Sequence, residues 1–248
     1  MRKITVGKIE DIKMAAPLTT SRNKYFDNRK ENDIKTPYSV CRFLYELLSP
    51  AISRKKTLVI DVGCGDGRLS ELFMKRWTVL GIEQRAIKKS KLSNIWSRCD
   101  FLAIKDIEQS HAANWTKDSV ALVISNPPFN NKSAGRKLIP EVFTKKIFDL
   151  LGDNVPLCMF VPMGFRLNQR LGSSRWRYFR DECKAEITSI ISLPLNLFKN
   201  VEFHSEILIW NIQKLKAHYW IPEKYLQGKM PSEDISLMRG KSTCRKYT

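Results

Sequence analysis

Apolar residues recur in two rhythms along this chain, and the two alternate. From Thr36-Pro37 onward, Val40, Phe43, Leu44 and Leu47 fall at i, i+3, i+4 and i+7, the stripe of an amphipathic helix. Thr36 suits the N-cap of that helix, Pro37 its first position and Pro50 its stop. Thr57–Val62 (TLVIDV) is then a continuous apolar run closed by glycines, as expected of a strand buried on both faces. A helical stretch (RLSELFMKRW) leads to a strand at Thr78–Glu83 and an amphipathic, lysine-rich helix over Arg85–Trp96. Short strands follow at Cys99–Leu102 and Val120–Ser125, then a helix at Pro140–Leu151 and a strand at Leu157–Pro162. A helix near Ser174–Lys184 and apolar runs at Ile187–Leu193 and Ile207–Ile212 complete the pattern.

Alternating β and α elements of this length predict an α/β fold, a mostly parallel, doubly wound sheet with helices on both faces. The flanks differ from this body. Residues 1–35 are polar and charged and read as a basic N-terminal arm. Residues 36–212 form the α/β domain, and 213–248 read as a polar, basic C-terminal tail.

Composition narrows the class. With 248 residues and 43% hydrophobic content the chain can bury a core, which excludes disorder throughout. No apolar run reaches the roughly 18 residues of a membrane span, and the basic N-terminus has no apolar stretch behind it. Six cysteines without a CxxC pair, and three histidines without ligand spacing, argue against a metal site and a disulfide framework. The expectation is a reduced, intracellular (cytoplasmic) protein with no metal. Lys and Arg total 43 against 25 acids, a net charge of +18. Such a surplus draws a protein toward phosphate-rich partners, and no basic amphipathic helix points to a membrane instead.

The first strand runs into Asp61-Val62-Gly63-Cys64-Gly65-Asp66-Gly67. In a doubly wound sheet this turn lies at the ligand crevice, where glycines let the backbone approach a ligand at positive φ. The spacing is GxGxG rather than the GxGxxG of dinucleotide sites. Glu83 ends the second strand, where a carboxylate can accept two ribose hydroxyls. Asp100 falls in the third expected strand and is followed by the apolar ring of Phe101. Gly240-Lys241-Ser242 imitates the end of a P-loop, but Ile235 stands where its first glycine belongs.

With Ser125-Asn126-Pro127-Pro128-Phe129 closing the fourth strand, a resemblance emerges. The glycine turn is similar to motif I of the class I S-adenosylmethionine methyltransferases, and NPPF resembles motif IV of the N6-adenine DNA methyltransferases. The Thr36-Pro37 segment resembles their motif X, so the order is that of the gamma type. The resemblance covers about Thr36 to Ile212. It implies a class I methyltransferase Rossmann-like fold, S-adenosylmethionine as cofactor and adenine N6 in DNA as acceptor. It also implies that Asp61, Gly63, Gly65, Gly67, Glu83, Asp100, Phe101 and Asn126 hold the cofactor, with Thr36 and Pro37 at its methionine end. The residue types suit the chemistry. An exocyclic amine has its lone pair delocalised into the ring. The Asn126 amide oxygen and the Pro127 carbonyl can each accept one amino hydrogen and favour a more tetrahedral, nucleophilic nitrogen. Pro127 and Pro128 stiffen the loop, and Phe129 offers a face to a flipped base.

One departure bears on substrate. Gamma-type enzymes usually carry a long target-recognition region after the core, whereas here residues 213–248 follow, so relaxed sequence specificity is expected. Nucleic-acid contacts are then expected from Lys132, Arg136 and Lys137 beside NPPF, and from Arg166, Arg170, Arg175 and Arg177 interleaved with Trp176, Tyr178 and Phe179. Three alternatives stand beside this reading. One is an RNA methyltransferase acting on adenine N6 or guanine N2. Another is a protein-glutamine enzyme, which fits the charge less well, and the last is a catalytically silent nucleic-acid-binding subunit. No residue pattern indicates a protein partner.

If the charge serves phosphate binding, the affinity for B-DNA must depend steeply on salt. We expect log K to fall by about 0.9 per phosphate contacted for each unit of log[salt]. A filter-binding or anisotropy titration between low and physiological salt checks this, and a flat dependence would reduce the charge to a solubilising surface.

Overall fold

Four strands are buried along their whole length, and their order sets the architecture. In the computed structural model, which describes residues 35–85, 95–106, 116–129, 137–167, 170–198 and 204–226, these are β1 (Leu58–Val62), β4 (Val120–Ser125), β5 (Leu157–Pro162) and β7 (Ser205–Trp210). With β2 (Thr78–Ile82), β3 (Ile95–Ser97), β6 (Ile187–Ser192) and β8 (His218–Trp220) they form one eight-stranded sheet, ordered β3-β2-β1-β4-β5-β7-β6-β8. The pairs from β3 to β5 are parallel, β7 runs antiparallel to both β5 and β6, and β8 is parallel to β6. The expected α/β, mostly parallel doubly wound sheet is therefore present.

Period-two alternation divides the buried side chains between two cores. Val59, Val79, Leu122, Ile124, Phe160 and Ile209 face one side, which α1 (Tyr38–Leu48) covers with Val40, Phe43, Leu44 and Leu48. Ile60, Leu80, Val123, Met159 and Trp210 face the other, covered by Ile147 and Phe148 of α2 (Ile139–Leu151). Burying both faces is what allows near-continuous apolar strands in water.

Several elements depart from the pattern reading. The expected helix after Gly67 is a short 3₁₀ segment, Glu71–Lys75. About ten residues must return the chain alongside a five-residue strand, and a 3₁₀ rise of about 2.0 Å per residue covers more length than an α-helix does. The third strand lies earlier than Cys99–Leu102, at Ile95–Ser97, because Asp100 caps a 3₁₀ turn at Phe101–Ala103 by accepting the Leu102 N–H at 3.0 Å. Ile95 and Trp96 are thus not helical, while the rest of the expected Arg85–Trp96 helix after Arg85 lies outside the described residues. The helix near Ser174 is one turn, α3 (Ser174–Arg177), continued by a π turn at Tyr178–Glu182.

The largest difference is at the C-terminal side. Residues read as tail contribute β8 and a 3₁₀ turn at Glu223–Tyr225. Tyr225, 7% exposed, sets its ring edge-on to Phe43 of α1 with centroids 5.3 Å apart, and its hydroxyl donates to Glu46. The described residues all belong to one compact unit, Ile34–Thr248, while the expected arm up to residue 34 lies outside them. Truncating a buried ring leaves a cavity, so Tyr225→Ala should destabilise the protein by about 3 kcal/mol. Urea unfolding checks this, and a loss near zero would return the segment to the status of a tail.

Candidate active site

Strand order reverses between β1 and β4: β2 and β3 lie on one side of that pair, β5 on the other. Ligand crevices of open α/β sheets form at such a point, beyond the carboxyl ends of the strands. The Ser125 hydroxyl at the end of β4 donates to the Val62 carbonyl at the end of β1 at 2.6 Å. This tie brings the glycine turn and NPPF, far apart in sequence, to one place.

The turn itself needs its glycines. Gly63, Gly65 and Gly67 have φ of 70°, 55° and 81°, a region that side-chain-bearing residues rarely adopt. The Gly63 and Cys64 N–H groups donate to the Ile82 carbonyl at 2.8 and 3.1 Å, anchoring the turn to the end of β2. Asp61 is fully buried, and its Oδ2 takes the Ser70 hydroxyl at 2.6 Å. Burial pushes this carboxyl up to about 7; the Ser70 bond opposes the rise and the nearby Glu83 charge adds to it.

Glu83 follows β2 and is 5% exposed. Its Oε2 accepts the Gly65 N–H at 2.9 Å, while Arg85 approaches with Nε on Oε1 at 2.9 Å and Nη2 on Oε2 at 3.2 Å. Burial alone would raise this carboxyl, but the Arg85 bonds and charge and the Gly65 N–H hold it below its usual range. Asp100 is exposed, with one oxygen on the Leu102 N–H; Phe101 is buried against Phe143 of α2, centroids 5.2 Å apart.

In the NPPF segment, Pro127 is buried, Pro128 exposed, and Asn126 and Phe129 half-buried. Phe129 leans on the core beneath α1, and its carbonyl accepts the Ile139 N–H at 3.2 Å. Asn126 Nδ2 donates to the Thr36 hydroxyl at 2.9 Å. Thr36 is consequently not the helix cap that its sequence position suggested. Pro37 holds the N-cap position, and no side chain caps α1. The start of α1 is also fastened to the glycine turn: Arg68 chelates Asp66 and lies over the Tyr38 ring at 4.7 Å, and Lys35 stands 3.6 Å from Asp66. Burial would raise Asp66, yet the Arg68 bonds and charge bring it below its usual range.

Of the expected nucleic-acid contacts, Lys132 and Arg136 lie outside the described residues. Lys137, Arg170 and Arg177 are exposed. Arg166 is engaged by buried Glu206, with Nε and Nη2 each at 3.1 Å. Arg175 is 3.6 Å from Glu141, so neither guanidinium is spent on solvent alone. Phe179 packs on Phe165 and Trp210 rather than outward, while Trp176 remains 39% exposed. Three contributors escaped sequence reasoning. Arg85 covers the second acid, Phe143 lies 3.6 Å from a Cβ placed on Gly63, and Arg68 joins turn to helix. Arg68 adjoins the glycine motif, but neither Arg85 nor Phe143 carries a spacing signal.

Residues 39–162 match the family model described as the methyltransferase small domain. No curated protein matches the sequence. Among solved structures, the chain resembles a putative class I S-adenosylmethionine-dependent methyltransferase from Listeria monocytogenes at 17% identity and a TM-score of 0.54, covering 84% of this chain and 72% of that one. It also resembles the type I restriction-modification methyltransferase subunit from Streptococcus thermophilus (15% identity, TM-score 0.53, 75% and 47% covered). A modification subunit of a putative type I restriction enzyme from Vibrio vulnificus gives 14% identity and a TM-score of 0.56, with 93% and 57% covered. The chain thus spans about half the length of these two modification subunits.

Because the Asp61 carboxyl holds its proton to about pH 7 when folded but to its ordinary 3.8 when unfolded, the folded state carries the extra proton between those values. Stability must therefore fall as pH rises from about 4 to about 7. Thermal melts of wild type and Asp61→Asn across that range isolate the effect. The wild type should lose stability relative to the variant as pH rises, and a constant difference would contradict the assignment.

Proposed function

The chain belongs to the methyltransferase small domain family, and from that premise we propose that it methylates the N6 amino group of adenine in DNA. Methyltransferases of this fold use S-adenosylmethionine as methyl donor. The observation that carries the acceptor assignment is Asn126-Pro127-Pro128-Phe129 at the carboxyl end of β4, tied to the glycine turn by Ser125.

The residues present fit the cofactor. Left-handed glycines leave the floor of the crevice without side chains. Glu83 receives two N–H donors from the half-exposed Arg85, the same donor pair that two vicinal ribose hydroxyls would supply. In this reading Glu83 holds the ribose while Phe101 and Phe143 wall the adenine. Asp100, with acceptor capacity beyond the Leu102 bond, meets its amino group. Asp61 props the turn from beneath, and Pro37 closes the methionine side, the buried Thr36 hydroxyl being turned to Asn126 instead.

Asn126 Oδ1 and the Pro127 carbonyl accept the two amino hydrogens and aim the nitrogen lone pair, and Phe129 stacks on the base. S-adenosylmethionine held by these residues would supply an electrophilic methyl to the nitrogen that Asn126 and Pro127 aim, its sulfur leaving as a thioether and the amine proton going to water. The protein's contribution is positional and electrostatic. Exposed Lys137, Arg170 and Arg177 engage phosphates, supported by the net charge of +18.

Purified protein with isotopically labelled S-adenosylmethionine should produce N6-methyldeoxyadenosine from unmethylated plasmid DNA, detected by mass spectrometry after digestion to nucleosides. Label only in a parallel total-RNA sample would move the acceptor to RNA, and none in either would leave a binding role. Asn126→Ala should lower the rate by about 100-fold or more while leaving cofactor binding measurable. An unchanged rate would remove Asn126 from the chemistry.

A further inference from the structure

The amide of Asn126 has two faces of similar shape and opposite character, since its oxygen accepts and its nitrogen donates. Only the oxygen serves an amine that must give up its hydrogens. Among the described residues the Asn126 side chain has one hydrogen-bond partner, the Thr36 hydroxyl, which takes Nδ2 at 2.9 Å across 90 residues of sequence. We propose that Thr36 is a positioning residue whose hydroxyl captures Asn126 Nδ2 and so turns Oδ1 toward the acceptor amine. The inference rests on, and deepens, the reading of this site as an amine methyltransferase.

Three features of the structure support this role. First, the hydroxyl is not consumed by helix capping, because α1 begins at Tyr38 with Pro37 at its N-cap. Second, Thr36 is held on both sides. A residue before proline is restricted to extended conformations, Cys41 Sγ reaches the Thr36 carbonyl at 3.9 Å, and the flanking Lys35 and Tyr38 engage Asp66 and Arg68. Third, Thr36 is 4% exposed, so water cannot readily replace its hydroxyl as the partner of Nδ2.

A hydroxyl can also donate, and with a flipped amide it would donate to Oδ1. That arrangement sets Nδ2 against the amine, donor facing donor. With the acceptor bound, only Nδ2 on Thr36 and Oδ1 on the amine satisfies both ends. Donation from Nδ2 also polarises the amide and strengthens Oδ1 as an acceptor.

The test compares Thr36→Val, which keeps the shape and removes the acceptor, with Thr36→Ser, which keeps the hydroxyl. Hydrogen-bond partners that orient metal ligands cost about 10- to 100-fold when lost, and an orienting partner of Asn126 is expected to act on the same scale. Thr36→Val should therefore lower kcat by that factor with the Kd for S-adenosylmethionine unchanged, and Thr36→Ser should restore most of the rate. A second readout needs no turnover. The side-chain ¹⁵N–¹H₂ resonance of Asn126, identified by its disappearance in Asn126→Ala, should move in Thr36→Val and stay in Thr36→Ser. An unmoved resonance, or an unchanged kcat with weakened cofactor binding, overturns the proposal; the second result would make Thr36 a cofactor contact. Should the wild type methylate neither DNA nor RNA, the functional reading fails by itself, and the resonance alone decides whether Thr36 holds the amide.

Discussion

Between β1 and β4 the connections leave the sheet in opposite directions, so neither crossover covers the carboxyl ends of these two strands. The segment joining β1 to β2 places Leu69 and Phe73 on the α1 side, while α2, joining β4 to β5, places Ile147 and Phe148 on the other. A crevice remains where the layers part. The glycine turn and NPPF must both open into it, whatever their distance along the chain, because each directly follows one of the two strands. The Ser125–Val62 hydrogen bond closes the seam beneath them.

Buried polar groups then fix the loops that line this crevice. A carboxylate taken out of water is costly unless hydrogen-bonded, so the partners of Glu83, Asp61 and the partly buried Asp66 define their positions, Asp61 through Oδ2 alone. Glu83 clasps the Gly65 N–H, locking the middle of the glycine turn to the end of β2. Asp61 takes Ser70 from the far side of the same turn. Asp66 binds Arg68, which lies over Tyr38, and so couples the turn to α1. Three carboxylates thus orient one loop from three directions. The half-exposed Arg85 guanidinium neutralises Glu83 at the open side of the site.

How far the fold could be read from the chain depended on how much each element owed to its own residues. TLVIDV, VALVIS and LCMFVP are buried along their length and read as strands without ambiguity. Segments whose geometry is set by what they must connect were misread. RLSELFMKRW has helical periodicity but bridges a span that favours a 3₁₀ path. The stretch around Asp100 looked like a strand until the aspartate capped a turn. β8 is three residues long, with His218 and Trp220 exposed, and exists by pairing with β6, so no apolar run announced it.

The motifs themselves were legible because their residue types are dictated locally. Glycines are needed where φ is positive, an acid belongs at a strand end, and an amide followed by prolines presents acceptors from a stiff loop. That is what the sequence by itself determined: the sheet class, and the placing of the glycine turn and of Asn126-Pro127-Pro128-Phe129 at the carboxyl ends of two neighbouring strands. The pairing of side chains across the crevice belonged to the tertiary structure alone. Thr36 looked like a helix cap, and only the packing of α1 against the end of β4 makes it the partner of Asn126. Arg85 and Phe143 gained their places in the same way, as did the withdrawal of Arg166 onto Glu206. Propensity and periodicity act over a few residues, whereas a hydrogen bond between residues 36 and 126 forms only after the sheet has brought their loops together.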